Sequence, residues 1–169
     1  MTTDQAATAP LARQQPASGF TLIEMLSVLA ILSVLALSVL PVAELVQKRS
    51  KERELKSSLA EIRRALDAHR RAVDAGRVMT QPGASGYPSA LTDLVTGIED
   101  ARDPQRRLIY FLRRIPRDPF APIDVPPERS WGLRSYTSPP DDPRPGEDVF
   151  DVYSLAPGVG LNGVPYREW

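Results

Sequence analysis

Cysteine is absent from the 169 residues, and histidine occurs once, as His69. The lack of thiols excludes disulfides, zinc-thiolate sites, a thiol nucleophile and a lipoprotein-type anchor, and it suits an oxidising compartment. With one imidazole, most nucleophile–base arrangements cannot be built. The G-x-S-x-G, Walker-type and H-E-x-x-H patterns are missing too. Excess charge of either sign is also lacking: 21 basic side chains balance 21 acidic ones. No overall field therefore favours nucleic acid or an acidic membrane. The second half has no basic patch interleaved with aromatics, so no nucleic-acid partner is expected. Gly158-Val159-Gly160-Leu161-Asn162-Gly163 matches G-x-G-x-x-G, but no helix is expected after it to present its N-terminus to a phosphate. Taken together, these absences point away from an enzyme.

Glycine and proline are missing from Phe20 to Leu40, where Glu24 is the one charge. A helix of that length, at ~1.5 Å per residue, spans ~30 Å, about the hydrocarbon thickness of a bilayer. The run is expected to be a membrane helix, because only helices and closed barrels satisfy every backbone group in lipid. The preceding Met1–Gly19 is mostly polar and has no apolar region of its own. A secretory signal is cut after its apolar segment; here the small residue Gly19 comes before it, so the anchor would be retained. Ser27, Ala30, Ser33 and Ala36 recur at three-residue spacing, a pattern that lets membrane helices approach closely. Pro41 follows, and proline removes a helix hydrogen bond and kinks or loosens the preceding turn.

Helical periodicity resumes at once. Val42–Ala75 reads as an amphipathic helix with Leu55, Leu59, Ile62, Leu66 and Val73 on one stripe. Gly76 is its expected C-cap. His69 lies near the stripe and is expected to pack there. The run Lys48, Arg49, Lys51, Arg53 and Lys56 is strongly basic; it is read as a solvated face or a contact with lipid headgroups or acidic neighbours. The positive-inside rule, taken alone, would place it in the cytoplasm.

Proline concentrates in the second half and argues against long helices there. A short helix is expected within Tyr87–Val95, capped by Ser89, with Leu91, Leu94 and Val95 facing inward. Leu108–Ile115 is expected to form a short turn. Trp131–Thr137 and Val149–Leu155 read as strands, separated by a turn at Asp141–Gly146. The expected fold class is α+β: a long N-terminal helix, half anchor and half amphipathic, packed on a small antiparallel sheet with proline-rich loops.

Gly19-Phe20-Thr21-Leu22-Ile23-Glu24 resembles the type IV prepilin signature, and Pro41 matches that family's proline. The resemblance implies cleavage between Gly19 and Phe20 by a prepilin peptidase, N-methylation of Phe20, and a filament-assembly role for Glu24 and Pro41. After cleavage the Phe20 amine and the Glu24 carboxylate lie one helical turn apart, and pairing lowers the cost of placing each in lipid. Tyr87-Pro88, Phe111–Phe120, Trp131–Tyr136 and Asp151–Leu155 further resemble the major (G-type) pseudopilin of type II secretion. That resemblance implies four regions: leader 1–19, assembly helix 20–40, amphipathic continuation 41–76 and a periplasmic domain 77–169. It also implies a bacterial inner-membrane protein with a cytoplasmic leader, polymerised into a periplasmic filament that drives export. Its implied partners are the peptidase, further copies and other pseudopilins, a platform membrane protein and an assembly ATPase. A type IV pilus subunit, for adhesion, motility or DNA uptake, is the alternative in the same superfamily. A membrane-anchored periplasmic binding module or enzyme is the alternative outside it. Pseudopilins of this branch carry a calcium site in an Asp-rich loop after the last strand. Here that loop, residues 156–163, has no carboxylate. No metal or cofactor is expected; Asp148, Asp151 and Asn162 are the oxygens that a calcium ion would have to use.

Overall fold

The computed structural model describes residues 19–169, apart from the side chains of residues 37–41. The chain divides into two compact units, Met1–Ala43 and Glu44–Trp169. The fold is α+β. Helix α1 (Leu22–Asp74) is followed by a one-turn helix α2 (Asp93–Thr96) and strands β1 (Ile98–Glu99), β2 (Leu108–Ile109), β3 (Trp131–Arg134) and β4 (Asp151–Ser154). Single 3-10 turns lie at Pro127–Arg129 and Tyr166–Glu168.

Helix α1 ends where its sequence says it should. Gly76 adopts φ +65°, a conformation that costs a side-chain-bearing residue ~1–2 kcal/mol. Its N–H reaches the Val73 carbonyl at 2.7 Å, and the Arg77 N–H reaches Ala72 at 2.8 Å. These paired bonds form a Schellman cap, which occupies carbonyls that would otherwise be orphaned. The buried stripe holds Leu55, Leu59, Ile62 and Leu66, each at most 2% exposed. Each contributes ~1.5–3 kcal/mol by leaving water. Ala65, His69 and Ala72 widen the stripe, whereas Val73 is half-buried at its edge.

Against this stripe pack Leu91, Leu94, Leu112, Trp131, Val149, Val152 and Tyr166. Strands β3 and β4 pair antiparallel, with Trp131 opposite Ser154 and Leu133 opposite Val152. Gly132 faces Tyr153; a Cβ there would lie 2.3 Å from the Tyr153 ring, so the close approach of that ring needs glycine.

Two local expectations require correction. Leu108–Ile115 is not a turn throughout: its first two residues form β2, paired with β1 in a second two-stranded sheet, Ile98 opposite Ile109. A short apolar run has no periodicity to separate strand from turn. The loop between these strands is closed by an Asp100 N–H bond to Arg107 O at 3.0 Å. The Arg77 guanidinium grips Asp100 and holds its carboxyl below the usual range. The expected sheet is the β3–β4 ribbon, and β1 and β2 add a second, separate one. Finally, α2 begins only at Asp93, and Ser89 does not cap it. The Asp93 carboxylate instead accepts bonds from Ser89 Oγ (2.8 Å) and the Ala90 N–H (3.0 Å). The inward positions are as expected: Leu91 and Leu94 are buried and Val95 is half-buried.

Candidate processing and assembly site

Gly19 and Phe20 precede α1 in non-helical, exposed backbone. Among the described residues, a Cβ built at Gly19 would meet nothing within 4 Å. Thr21 starts the helix: its Oγ1 accepts the Glu24 N–H at 3.2 Å. Thr21 and Glu24 hold the first and last positions of a T-x-x-E capping box. Glu24 lies in the first turn, where the helix dipole favours negative charge. Its carboxylate is exposed, and so are its apolar neighbours: Phe20 is 77% exposed, Leu22 80% and Ile23 70%.

Apolar residues surround the helix from Phe20 to Leu35 without forming one stripe, and Met25, Leu29 and Ile31 are all more than half exposed. A helix apolar on all sides is one built to be covered. Ser27 and Ser33 bond back to the Ile23 and Leu29 carbonyls, each at 2.7 Å, so their hydroxyls are satisfied inside the helix. Ser27, Ala30, Ser33 and Ala36 do not form one seam. A three-residue step falls ~60° short of a turn, so the four sweep about half the circumference. Among the described residues no helix is long and apolar enough to cross a membrane. The expected span over residues 20–40 includes positions 37–40, whose side chains lie outside them. Helix α1 runs through position 41, where the side chain of Pro41 is likewise outside the described set. Residues 1–18 of the leader expected over 1–19 lie outside it as well.

The unit Glu44–Trp169 holds the remaining candidates. His69 is 3% exposed; its Nδ1 lies 3.0 Å from Gly86 O and its ring meets Phe111 edge-on at 5.3 Å. A carbonyl only accepts, so the proton sits on Nδ1, and burial pushes the imidazole pKa down. The ring packs as expected. It borders an open cleft of about 1260 Å³ lined also by Tyr87 and Tyr136, whose rings stack 6.1 Å apart.

The oxygens considered for calcium are committed elsewhere. Asp148 accepts the Tyr136 N–H at 2.8 Å. Asp151 accepts Arg63 Nε and its neighbour's N–H, Val152 N, at 2.7 and 2.8 Å, and Asn162 accepts the Val164 N–H at 3.1 Å. Among the described residues no three His, Asp or Glu side chains gather to hold a metal. The residues present do not fit a calcium site of the expected kind. The glycine-rich loop is closed by a Val159–Pro165 bridge and followed by a single 3-10 turn, so it offers no phosphate a helix N-terminus.

Besides Asp100, the buried carboxyl groups of Glu52 and Asp118 escaped the sequence reading. Glu52, 8% exposed, accepts the Leu161 N–H at 2.8 Å and the Tyr166 hydroxyl at 3.0 Å. Burial and this bond push the Tyr166 pKa up to about 12. Glu52 precedes Leu55 by one helical step on the same stripe, and an acid in that position is the signal that marks it. Asp118, 1% exposed, accepts Ser154 Oγ and the Phe120 N–H.

Neither a curated protein nor a solved structure matches the chain. The family signature described as the prokaryotic N-terminal methylation motif matches residues 15–40, which bracket the Gly19–Phe20 bond and the capped first turn. The chain therefore carries the type IV prepilin-like N-terminal signal.

Proposed function

We propose that this chain is a structural subunit of a type II secretion pseudopilus and performs no catalysis. The observation that carries the reading is the methylation motif placed on an exposed Gly19–Phe20 bond that leads directly into a capped, all-round apolar helix. A prepilin peptidase cuts after Gly19, and the Phe20 amine is methylated. The mature helix is stored in the bacterial inner membrane as a single pass, with the leader cytoplasmic and residues after Pro41 periplasmic. Glu24 then meets the Phe20 amine of a neighbouring subunit, since two opposite charges in lipid are each less costly paired than alone. An assembly ATPase and a platform membrane protein extend the filament, which drives secreted proteins outward. The choice of secretion over a surface pilus rests on the second-half motifs, including Trp131–Tyr136 and Asp151–Leu155.

The test is Glu24→Ala in the native host. Cleavage is expected to persist while incorporation into sheared or crosslinked filaments falls at least tenfold; filament yield equal to the parent contradicts the role. Deleting the gene separates the two superfamily readings. Accumulation of exported proteins in the periplasm supports the pseudopilus, whereas normal export with loss of surface pili replaces it with the pilus.

A further inference from the structure

The C-terminal loop is fastened to α1 by a ladder of helix side chains. Lys48 Nζ donates to Val159 O at 2.9 Å. One turn on, Glu52 takes the Leu161 N–H and the Tyr166 hydroxyl. Another turn on, the Lys56 ammonium sits 4.6 Å over the Trp169 ring. Arg63 completes the ladder through Val152 O at 3.1 Å and the Trp169 main-chain oxygen at 2.6 Å, while also pairing with Asp151. Positions 48, 52 and 56 stack on one helix face by four-residue steps.

The chemistry of this ladder is opposite to that of a cation site. Calcium requires six to eight oxygens and draws on carboxylates. Here an ammonium group already holds the Val159 carbonyl, and the nearby Glu52 carboxylate faces two donors. The loop's own amides are spent as well: Gly160 N–H on Val164 O, Gly163 N–H on Gly160 O and Val164 N–H on Asn162 Oδ1. A divalent ion entering here would have to displace Lys48 and separate Glu52 from both partners.

We propose that this clasp of Lys48, Glu52, Lys56 and Arg63 fixes the C-terminal loop without a metal, so that the folded subunit is indifferent to calcium. Two members of the basic run, Lys48 and Lys56, thereby hold the subunit's own loop. The clasp lies within one subunit and does not depend on that subunit's entering a filament.

The test uses the full chain in detergent micelles, with hydrogen exchange over residues 156–169 and thermal unfolding, each in millimolar calcium and in excess EGTA. Both readouts are expected to be the same in the two buffers. Glu52→Ala is expected to speed exchange at 158–166 about tenfold or more, with the 55–66 helix segment still protected. Should Glu52→Ala not fold, Tyr166→Phe, which removes one hydroxyl, is expected to speed exchange at the same loop. Loop protection or a raised Tm in calcium overturns the proposal. So does parental loop exchange in Glu52→Ala or, where that variant does not fold, in Tyr166→Phe.

Discussion

The sharpest stability test lies at Ser154. Its side chain is fully buried on β4, and its hydroxyl donates to Oδ2 of Asp118, itself 1% exposed. Ser154 Oγ in turn accepts the Ala156 N–H at 3.1 Å. Asp118 keeps the Phe120 N–H on its other oxygen at 2.8 Å, and its own N–H points to Ser130 Oγ at 3.1 Å. Ser154→Ala removes one donor from a buried carboxyl group and one acceptor from a main-chain amide. The volume change is a single oxygen, so packing loss is small and the unsatisfied polar groups dominate. Hydrogen bonds to charged groups contribute ~1.5–3 kcal/mol, and stranding a buried group carries a penalty of the same order. The expected loss is therefore ~2–3 kcal/mol. At ~3 °C per kcal/mol for a chain of this size, Tm falls by about 6–9 °C. Denaturant unfolding read by tryptophan fluorescence measures it, since Trp131 is the register partner of Ser154. An unchanged m-value is expected. A loss below ~0.5 kcal/mol refutes the reasoning, because that is the range of an ordinary surface change.

Three further outcomes follow from the same geometry. Gly76→Ala places a Cβ at φ +65° and is expected to lower stability by ~1–2 kcal/mol in urea unfolding, with Gly76→Asn recovering part of it. The lowered pKa of His69 means that the unfolded chain binds a proton more readily than the folded one. Its contribution is thus complete above pH ~6.5 and is lost as pH falls through the folded value; His69→Asn, which keeps a donor for Gly86 O, is expected to flatten that acid slope in pH-dependent melts. Tyr166 has the reverse linkage. Its pKa is pushed up to about 12, so its contribution is full below pH ~10 and declines as pH rises towards 12, and Tyr166→Phe is expected to remove that alkaline step.

Much of the fold was legible because period and punctuation agree. Leu55, Leu59, Ile62 and Leu66 recur at helical spacing and are the buried stripe; Gly76 ends α1 with the positive φ its position demands. The aromatic and β-branched runs at Trp131 and Asp151–Ser154 form the paired strands expected of them. Strands β1 and β2 were not legible, since two residues cannot establish an alternation and the pairing is set by a loop closed through Asp100 and Arg77. The role of Ser89 was misread for a related reason. Ser89 and Asp93 are both capping residues, and only the backbone decides that the carboxylate accepts. The basic run looked like a solvated face because its partners lie more than a hundred residues later in sequence, at Val159 and Trp169. At the N-terminal motif the signal is local, since Gly19, Phe20 and Glu24 are read directly from their order; the cap that Thr21 Oγ1 gives the Glu24 N–H went unread.

On the proposed function, the chain is cut and methylated at the Gly19–Phe20 junction before it is used. Intact-mass and N-terminal peptide mass spectrometry on the protein from its native membrane measures this without perturbation. The expected result is a mature chain that begins at Phe20 and carries one added methyl group on its amine. A chain that retains Met1–Gly19, or one cut after the apolar helix, would contradict it.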